Sequence, residues 1–384
     1  MKSLDRGHFA LSIYIAAAIL AGCGGSQPPI GAPGTMPQDI AQQRTSLTPC
    51  SGSRLGVAQC GVLIQTPGVR ATKPAGWSPA DLQSAYKLPS SRKGLGQIVA
   101  IVDAFDNPNV ATDVAAYRTE FGLPAANFFK YNQEGQQSNY PRGSVGWGVE
   151  IDLDVDMVSA ACPKCTIYLV EANSNNTSDL QTAETEAVAV GAHIISNSWV
   201  CYGSASCVDQ SYFSTKGVEY LASSGTGYKQ LGAPAIFDSV VSVGGTVLSK
   251  GGGGKRGWTE EVWSGTGGGC ARQPKPRWQH FKICKHRLVN DVSAVAWGAA
   301  EYDSYGYGGW FTVGGTSVAT GFLAGVFGLA GNASQQDGGR TFWETAHQKH
   351  LYPVPEGHNP ECAYTEGNYN TCAGWGSPDG IKAF

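Results

Sequence analysis

Gln97-Ile98-Val99-Ala100-Ile101-Val102-Asp103 is an unbroken apolar run closed by a carboxylate. A run without polar alternation suits a strand covered on both faces, the situation of strands in a parallel sheet. Residues 166–170, 193–198, 220–222 and 240–243 read as further short buried strands. Residues 110–121, 180–190 and 212–220 read as helices between them. Gly76-Trp77-Ser78-Pro79-Ala80-Asp81-Leu82 supplies turn chemistry and a cap for a short helix reaching Tyr86. This alternation specifies an α/β fold: one doubly wound, mostly parallel sheet with helices on both faces, in a single domain. Ligands of such sheets sit at the carboxyl ends of the strands.

Two stretches carry candidate chemistry. Gly314-Gly315-Thr316-Ser317-Val318-Ala319-Thr320-Gly321 precedes an apolar, helix-compatible run over 322–330. Glycines allow close backbone approach, and a serine that opens a helix stands where N–H groups steady an anion. The same octet also serves as an ordinary turn with an N-cap. Glu150-Ile151-Asp152-Leu153-Asp154-Val155-Asp156 holds four acids in seven positions. On a helix Glu150 and Asp154 share one face, and Asp152 and Asp156 another. The stretch reads either as a solvated acidic face or as carboxyls that share protons, since like charges four residues apart repel.

The N-terminus reads as an export signal. Lys2 and Arg6 precede an apolar run over 10–20, too short to span a bilayer as a helix. Leu20-Ala21-Gly22-Cys23 is similar to a bacterial lipobox, which places cleavage before Cys23 and a lipid on its thiol. An ordinary signal peptide with a chance cysteine is the alternative. The chain then divides into a signal over 1–22, a flexible tether with a short disulfide loop over 23–75, and one domain over 76–384. Setting Cys23 aside from the 11 cysteines leaves five close pairs: Cys50/Cys60, Cys162/Cys165, Cys201/Cys207, Cys270/Cys284 and Cys362/Cys372. Local disulfides in an oxidising compartment are the simplest account. Cys162-Pro163-Lys164-Cys165 also has redox or zinc spacing, but no second such pair accompanies it. A charged fraction of 15% and a net charge of −3, without a basic patch, argue against a nucleic-acid partner and suit a protein that works in acid.

In their order along the chain these motifs resemble the sedolisins, serine-carboxyl peptidases that share the subtilisin fold. The resemblance covers 76–384 and rests on the Gly76–Leu82 motif, Glu150-Ile151-Asp152-Leu153-Asp154, Ser196-Asn197-Ser198, Ser242-Val243-Gly244-Gly245-Thr246, Trp258-Thr259-Glu260, Asn290-Asp291-Val292-Ser293-Ala294 and Gly314-Gly315-Thr316-Ser317. It implies that Ser317 attacks a peptide carbonyl, that Glu150 takes the proton and returns it to the leaving amine, and that Asp154 orients Glu150 through a shared proton. A carboxylate base in place of histidine implies work at low pH on unfolded protein or peptide.

The chain departs from the family in three places. Where the family keeps an oxyanion-hole aspartate, Ser223-Ser224-Gly225-Thr226-Gly227-Tyr228 has Thr226 or a deletion. Asp238, a little downstream, could substitute sterically, though nothing in the spacing supports it. The family's calcium loop has lost two carboxylates, at Pro353 and Asn370, so no tight metal site is expected around Val354, Glu366, Asn368 and Asn370. The long N-terminal prosegment of the family has no counterpart in the tether-like leader, so the domain is expected to fold without an inhibitor segment. Asp103 resembles the aspartate of histidine-using subtilases, yet the next histidine is His193, expected in the core, so a Ser-His-Asp site is disfavoured; Asp103 is expected to support the site or cap a turn. The two readings that remain are an exported, monomeric acid endopeptidase without cofactor, touching membrane only through a lipid on Cys23, and a catalytically silent peptide-binding domain.

Overall fold

A computed structural model of the chain describes residues 46–47, 49–50, 56–65, 71–203, 207–227, 231–252, 254–355, 357, 359 and 365–384. The export signal, Cys23, the tether up to residue 45 and Cys362 lie outside these residues. In chain order the first half contains β1 Ser46–Leu47, β2 Gln59–Cys60, β3 Leu63–Gln65, α1 Pro79–Ala85, β4 Ile98–Ala104, α2 Val110–Glu120, β5 Asn127–Asn132, α3 Val145–Ala161, β6 Thr166–Ala172 and α4 Thr177–Ala189. The second half adds β7 Ile194–Asn197, β8 Trp199–Val200, β9 Glu219–Ser223, β10 Val240–Lys250, β11 Trp258–Val262, β12 Gly269–Pro274, β13 His286–Val289, β14 Val292–Val295, β15 Trp297–Asp303, β16 Gly309–Gly314 and α5 Thr316–Ala330. No helix among the described residues is long and apolar enough to cross a membrane.

The central sheet runs β11-β10-β9-β7-β4-β6-β5, with β14 also paired to β10. Every pairing in it is parallel except β10 with β11. The founding run is β4 at the middle, buried from Val99 through Ala104. Such a strand has no solvent face, which is why its sequence does not alternate. Helices α3 and α5 pack on one face of the sheet and α4 covers β4 and β6 on the other. Helix α1 starts where its sequence says it should: Ser78 and Asp81 form a reciprocal capping box ahead of Pro79. A second, antiparallel sheet, β1-β3-β16-β15, leads into α5.

Helix α5 crosses α3 closely because its contact stripe is glycine. A Cβ added at Gly325 would lie 2.6 Å from Ala161 Cβ and 3.1 Å from the Val158 carbonyl. At Gly321 it would lie 3.1 Å from Asp154 Oδ1. Gly331, at φ 77°, ends the helix in the left-handed conformation that favours glycine.

Three expectations are corrected. Residues 212–220 are not a helix. Asp209 caps a single 3-10 turn at Gln210–Phe213, Gly217 takes φ 81°, and β9 begins at Glu219. Phe213 is drawn into the core against Trp199, Tyr220 and Phe237, so packing overrides the helical pattern. His193 is exposed rather than a core residue, its ring nitrogen 2.8 Å from the Gly217 carbonyl. Within the 23–75 stretch expected to be a tether, residues 59–65 form strands, and Val62 and Ile64 are fully buried. Four of the five expected disulfides are present, Cys50–Cys60, Cys162–Cys165, Cys201–Cys207 and Cys270–Cys284; the fifth involves Cys362, outside the described residues.

The glycine seam makes a direct prediction. Gly325→Val forces side-chain volume into a filled contact, and overpacking of this kind costs about 1–3 kcal/mol. Urea unfolding is expected to show that loss; an unchanged midpoint would mean the two helices are not in close contact.

Candidate active site

The α3–α5 contact brings the candidate residues together. Gly315, the residue before α5, has φ 134°, and any side chain there would overlap the Gly61 carbonyl. Ser317 therefore sits in the first turn of α5, wholly buried. Its Oγ donates to the Ser198 carbonyl at 3.4 Å, and the Ser317 hydroxyl acts on the Glu150 carboxyl to lower its pKa against burial. Glu150 and Asp154 lie one turn apart on α3, both wholly buried. Ser198 Oγ donates to Asp154 Oδ1 at 2.7 Å. Glu150 Oε1 and Asp154 Oδ2 have no hydrogen-bond partner among the described residues.

Thr226 enters the same cleft from the loop after β9. Its Oγ1 donates to the Gly61 carbonyl at 2.6 Å. The loop is held from the turn that carries Ser317, since Gly225 N donates to Thr316 Oγ1 at 3.2 Å. Asp238 takes no part: it is exposed and accepts from Gln210 Nε2 at 2.7 Å.

The feature that sequence reasoning missed is the occupant of the cleft. Residues 57–65 thread through it as extended chain. Gln59 and Cys60 pair antiparallel with β8. Leu63, Ile64 and Gln65 pair antiparallel with β16. Between these pairings, Gly61 offers its carbonyl to Thr226 and Val62 N donates to Glu150 Oε2 at 2.9 Å. A Cβ added at Gly61 would sit 2.8 Å from Ser317 Oγ, so only glycine fits. The Cys50–Cys60 disulfide anchors the segment beside Glu150, with sulfur and carboxylate atoms within 4.8 Å. The available signal was Val62-Leu63-Ile64, a strand-like run inside the presumed tether.

Three buried carboxyls share this site. Asp103, on the face of β4 toward α3 and α5, is pushed up to about 7 by burial alone. Burial first, and the field of Asp103 second, push Glu150 well up, opposed by hydrogen bonds from Ser317, Val62 and Gly61. Burial, then Asp103 and Glu150, do the same to Asp154, opposed by Ser198. Neither oxygen of Asp103 has a hydrogen-bond partner among the described residues, so it caps no turn and acts on the pair through its field. In the C-terminal loop, Asn370 Nδ2 donates to the Val354 carbonyl at 2.6 Å and its Oδ1 accepts from Cys372 N and Ala373 N. Glu366 and Asn368 are exposed. An amide thus closes that loop onto itself, as a carboxylate could not.

The sheet order and the serine at the head of a buried helix define the subtilisin-like fold. Pseudomonas sedolisin, a serine-carboxyl proteinase solved in complex with two molecules of pseudo-iodotyrostatin, superposes with a TM-score of 0.67 at 23% identity, over 80% of this chain and 96% of that one. Sphericase superposes with a TM-score of 0.52 at 16% identity, over 80% and 99%. In sequence the chain is 27% identical to kumamolisin of Bacillus sp. (strain MN-32) over 82% of its length, and 22% identical to sedolisin of Pseudomonas sp. (strain 101) over 91%. It spans 64% and 67% of those relatives' own lengths. No family profile matches the chain. The chain is similar to the sedolisins, the serine-carboxyl peptidases, and shares their subtilisin-like fold.

The buried carboxyls set a pH dependence for folding. A carboxyl raised in the folded protein stabilises fully below its unfolded value, and that stability is lost as pH rises through the folded value. For Asp103 the window runs from ~4, the ordinary aspartate range, to about 7. Urea midpoints are expected to fall across this window, and less steeply in Asp103→Asn. A midpoint that climbs with pH would contradict the assignment.

Proposed function

We propose that the chain is an exported endopeptidase that hydrolyses unfolded protein or peptides in acid. Ser317 is the nucleophile, Glu150 the general base and acid, Asp154 its orienting partner, and Thr226 the donor to the oxyanion. The observation that carries the reading is the pose of the resident peptide. One peptide group has its carbonyl on the Thr226 hydroxyl and its amide on Glu150, beside the Ser317 hydroxyl. That is the arrangement acyl transfer requires.

Ser317 Oγ attacks the carbonyl carbon and its proton passes to Glu150. Thr226 Oγ–H stabilises the negative oxygen of the tetrahedral intermediate. Glu150 returns the proton to the departing nitrogen, the C–N bond breaks, and water then hydrolyses the serine ester with Glu150 again as base. A pair that holds one proton between Glu150 and Asp154 has one negative charge to act as base and one proton to orient it. Losing either form stops turnover, so a bell-shaped profile follows. An external substrate must first displace residues 57–65. Export and a lipid on Cys23 belong to the same proposal, supported by the charged start, short apolar run and Leu20-Ala21-Gly22-Cys23.

A second reading is a catalytically silent peptide-binding domain. It is favoured by the same occupancy, because the segment leaves Ser317 no exposed surface. Digestion of an unfolded protein from about pH 2 to 7, the range in which carboxyls titrate, separates the two. Cleavage is expected in acid and is expected to vanish in Ser317→Ala and Glu150→Gln. Thr226→Val is expected to slow it by about 10²–10³, the usual effect of losing one oxyanion donor. Folded protein that cleaves nothing, even with Gly61→Val to expel the segment, would leave only the binding role. The mature chain is expected to begin at a lipid-modified Cys23 by intact mass; an unmodified N-terminus removes the anchor.

A further inference from the structure

A disulfide-stapled hairpin concentrates positive charge on a chain whose net charge is −3. Strands β12 and β13 pair antiparallel and are cross-linked by Cys270–Cys284. Between positions 272 and 286 the hairpin carries Arg272, Lys275, Arg277, Lys282 and Lys285 and no acid. These cations form no continuous run, because prolines and apolar residues separate them. The hairpin gathers them, which corrects the expectation of a chain without a basic patch. Arg272, Arg277, Lys282 and Lys285 are exposed. None of the four has a side-chain hydrogen bond or ion pair among the described residues.

The loop that joins the two strands is firmly held. Lys275 Nζ donates to the carbonyls of Phe281 and Cys284. The buried Gln279 amide exchanges two hydrogen bonds with the backbone of Leu288, each 2.8 Å. Trp278 packs against Trp343, with ring centres 5.7 Å apart and planes tilted 52°. Trp343 is fixed from behind, since its Nε1 donates to Asp291 Oδ1 at 3.0 Å and Asp291 pairs with the buried Arg287.

These residues leave a cavity of about 410 Å³, lined by Arg277, Trp278, His280, Arg340, Trp343 and Glu344. Ligand sites usually measure about 300–1,000 Å³ and combine aromatic walls with a few polar groups. Here the two indoles make one angled wall. Arg340 is already paired, with Asp337 at 3.0 Å and Glu344 at 3.7 Å. The side chains of Arg277 and His280 have no such partner among the described residues. An indole wall beside an unengaged guanidinium fits a ligand that holds an apolar face and a carboxylate on one rigid unit.

We propose that this cavity binds a uronic-acid residue of an acidic polysaccharide. The C–H face of the sugar ring lies on the indoles, its carboxylate takes N–H groups of Arg277, and its hydroxyls donate to Glu344. Further carboxylates of the polymer meet Arg272, Lys282 and Lys285. Other anions satisfy fewer of these groups. A glutamate side chain reaches Arg277 but leaves the indole wall in water. A phosphate is repelled by Glu344. Docking on a bilayer calls for an apolar tip, and the large exposed apolar side chains among the described residues, Leu95, Phe129, Val145 and Tyr212, all lie outside the hairpin. Because the walls are already fixed, little ordering is lost on binding. The cavity shares no residue with the Ser317 site, so the proposal stands whether or not the chain is an active peptidase.

The test uses the full chain carrying Ser317→Ala, which prevents self-digestion, titrated with oligogalacturonate at near-neutral pH and followed by tryptophan fluorescence and calorimetry. Saturable binding is expected, and none to a neutral galactan oligomer. Arg277→Ala is expected to weaken it about tenfold or more, the usual effect of losing a hydrogen bond to a charged group. Its Tm is expected to match the parent's, because the side chain is exposed and unpaired. Lys282→Ala combined with Lys285→Ala is expected to weaken binding of long polygalacturonate and reduce its salt dependence, while sparing the shortest oligomer that binds. No binding by the parent would overturn the site, as would unchanged affinity in Arg277→Ala. So would binding of polyglutamate, single-stranded DNA or anionic phospholipid vesicles as tight as that of polygalacturonate.

Discussion

The close crossing of α5 on α3 is the contact on which everything else in this molecule rests. Ser317 belongs to one helix, Glu150 and Asp154 to the other, and no loop adjusts the distance between them. The approach exists because Gly321 and Gly325 present backbone where other helices present side chains. The cost is paid in helix propensity, roughly 1 kcal/mol for each glycine, and is offset by burying nearly the whole of α5. Close packing of this kind is intolerant of added volume, which is what makes it suitable for holding reacting groups in place.

The second constraint is electrostatic. In the proposed mechanism a carboxylate base works without a histidine, so the pair must be kept from ionising together. Burial does this, and Asp103 beneath the pair adds to it. The same burial makes the site dependent on what covers it. Residues 57–65 supply the cover, closing two strand pairings and two hydrogen bonds across the cleft and tied by Cys50–Cys60. The segment thus completes the core and occupies the candidate site at once.

Much of the fold was legible. The β4 run announced a strand buried on both faces, and Ser78-Pro79-Ala80-Asp81 announced α1, because both signals are local. Helical spacing put Glu150 and Asp154 on one face and the Gly314–Gly321 octet marked Ser317, while the resemblance gave all three their implied roles. Other features depend on contacts between distant parts of the chain. The β15–β16 sheet and the 57–65 strands are defined by partners far away in sequence. Thr226 reads in isolation as a missing aspartate; only the position of Gly61 gives its hydroxyl something to bind. The 212–220 stretch has helix-compatible spacing, but Gly217 and the burial of Phe213 decide against it. Asp152 and Asp156 were visible as a second pair of acids on the helix, yet Asp113 and Asp303 meet Asp152 only through the packing of α2 and β15 on α3.

Reaction of Ser317 with a serine-directed phosphonate, followed by intact mass, tests most directly whether residues 57–65 fill the cleft. The account predicts that the parent chain resists the reagent and that Gly61→Val, which cannot seat the segment against Ser317 Oγ, takes up one adduct on Ser317. A parent chain that is modified as fast as Gly61→Val would contradict it.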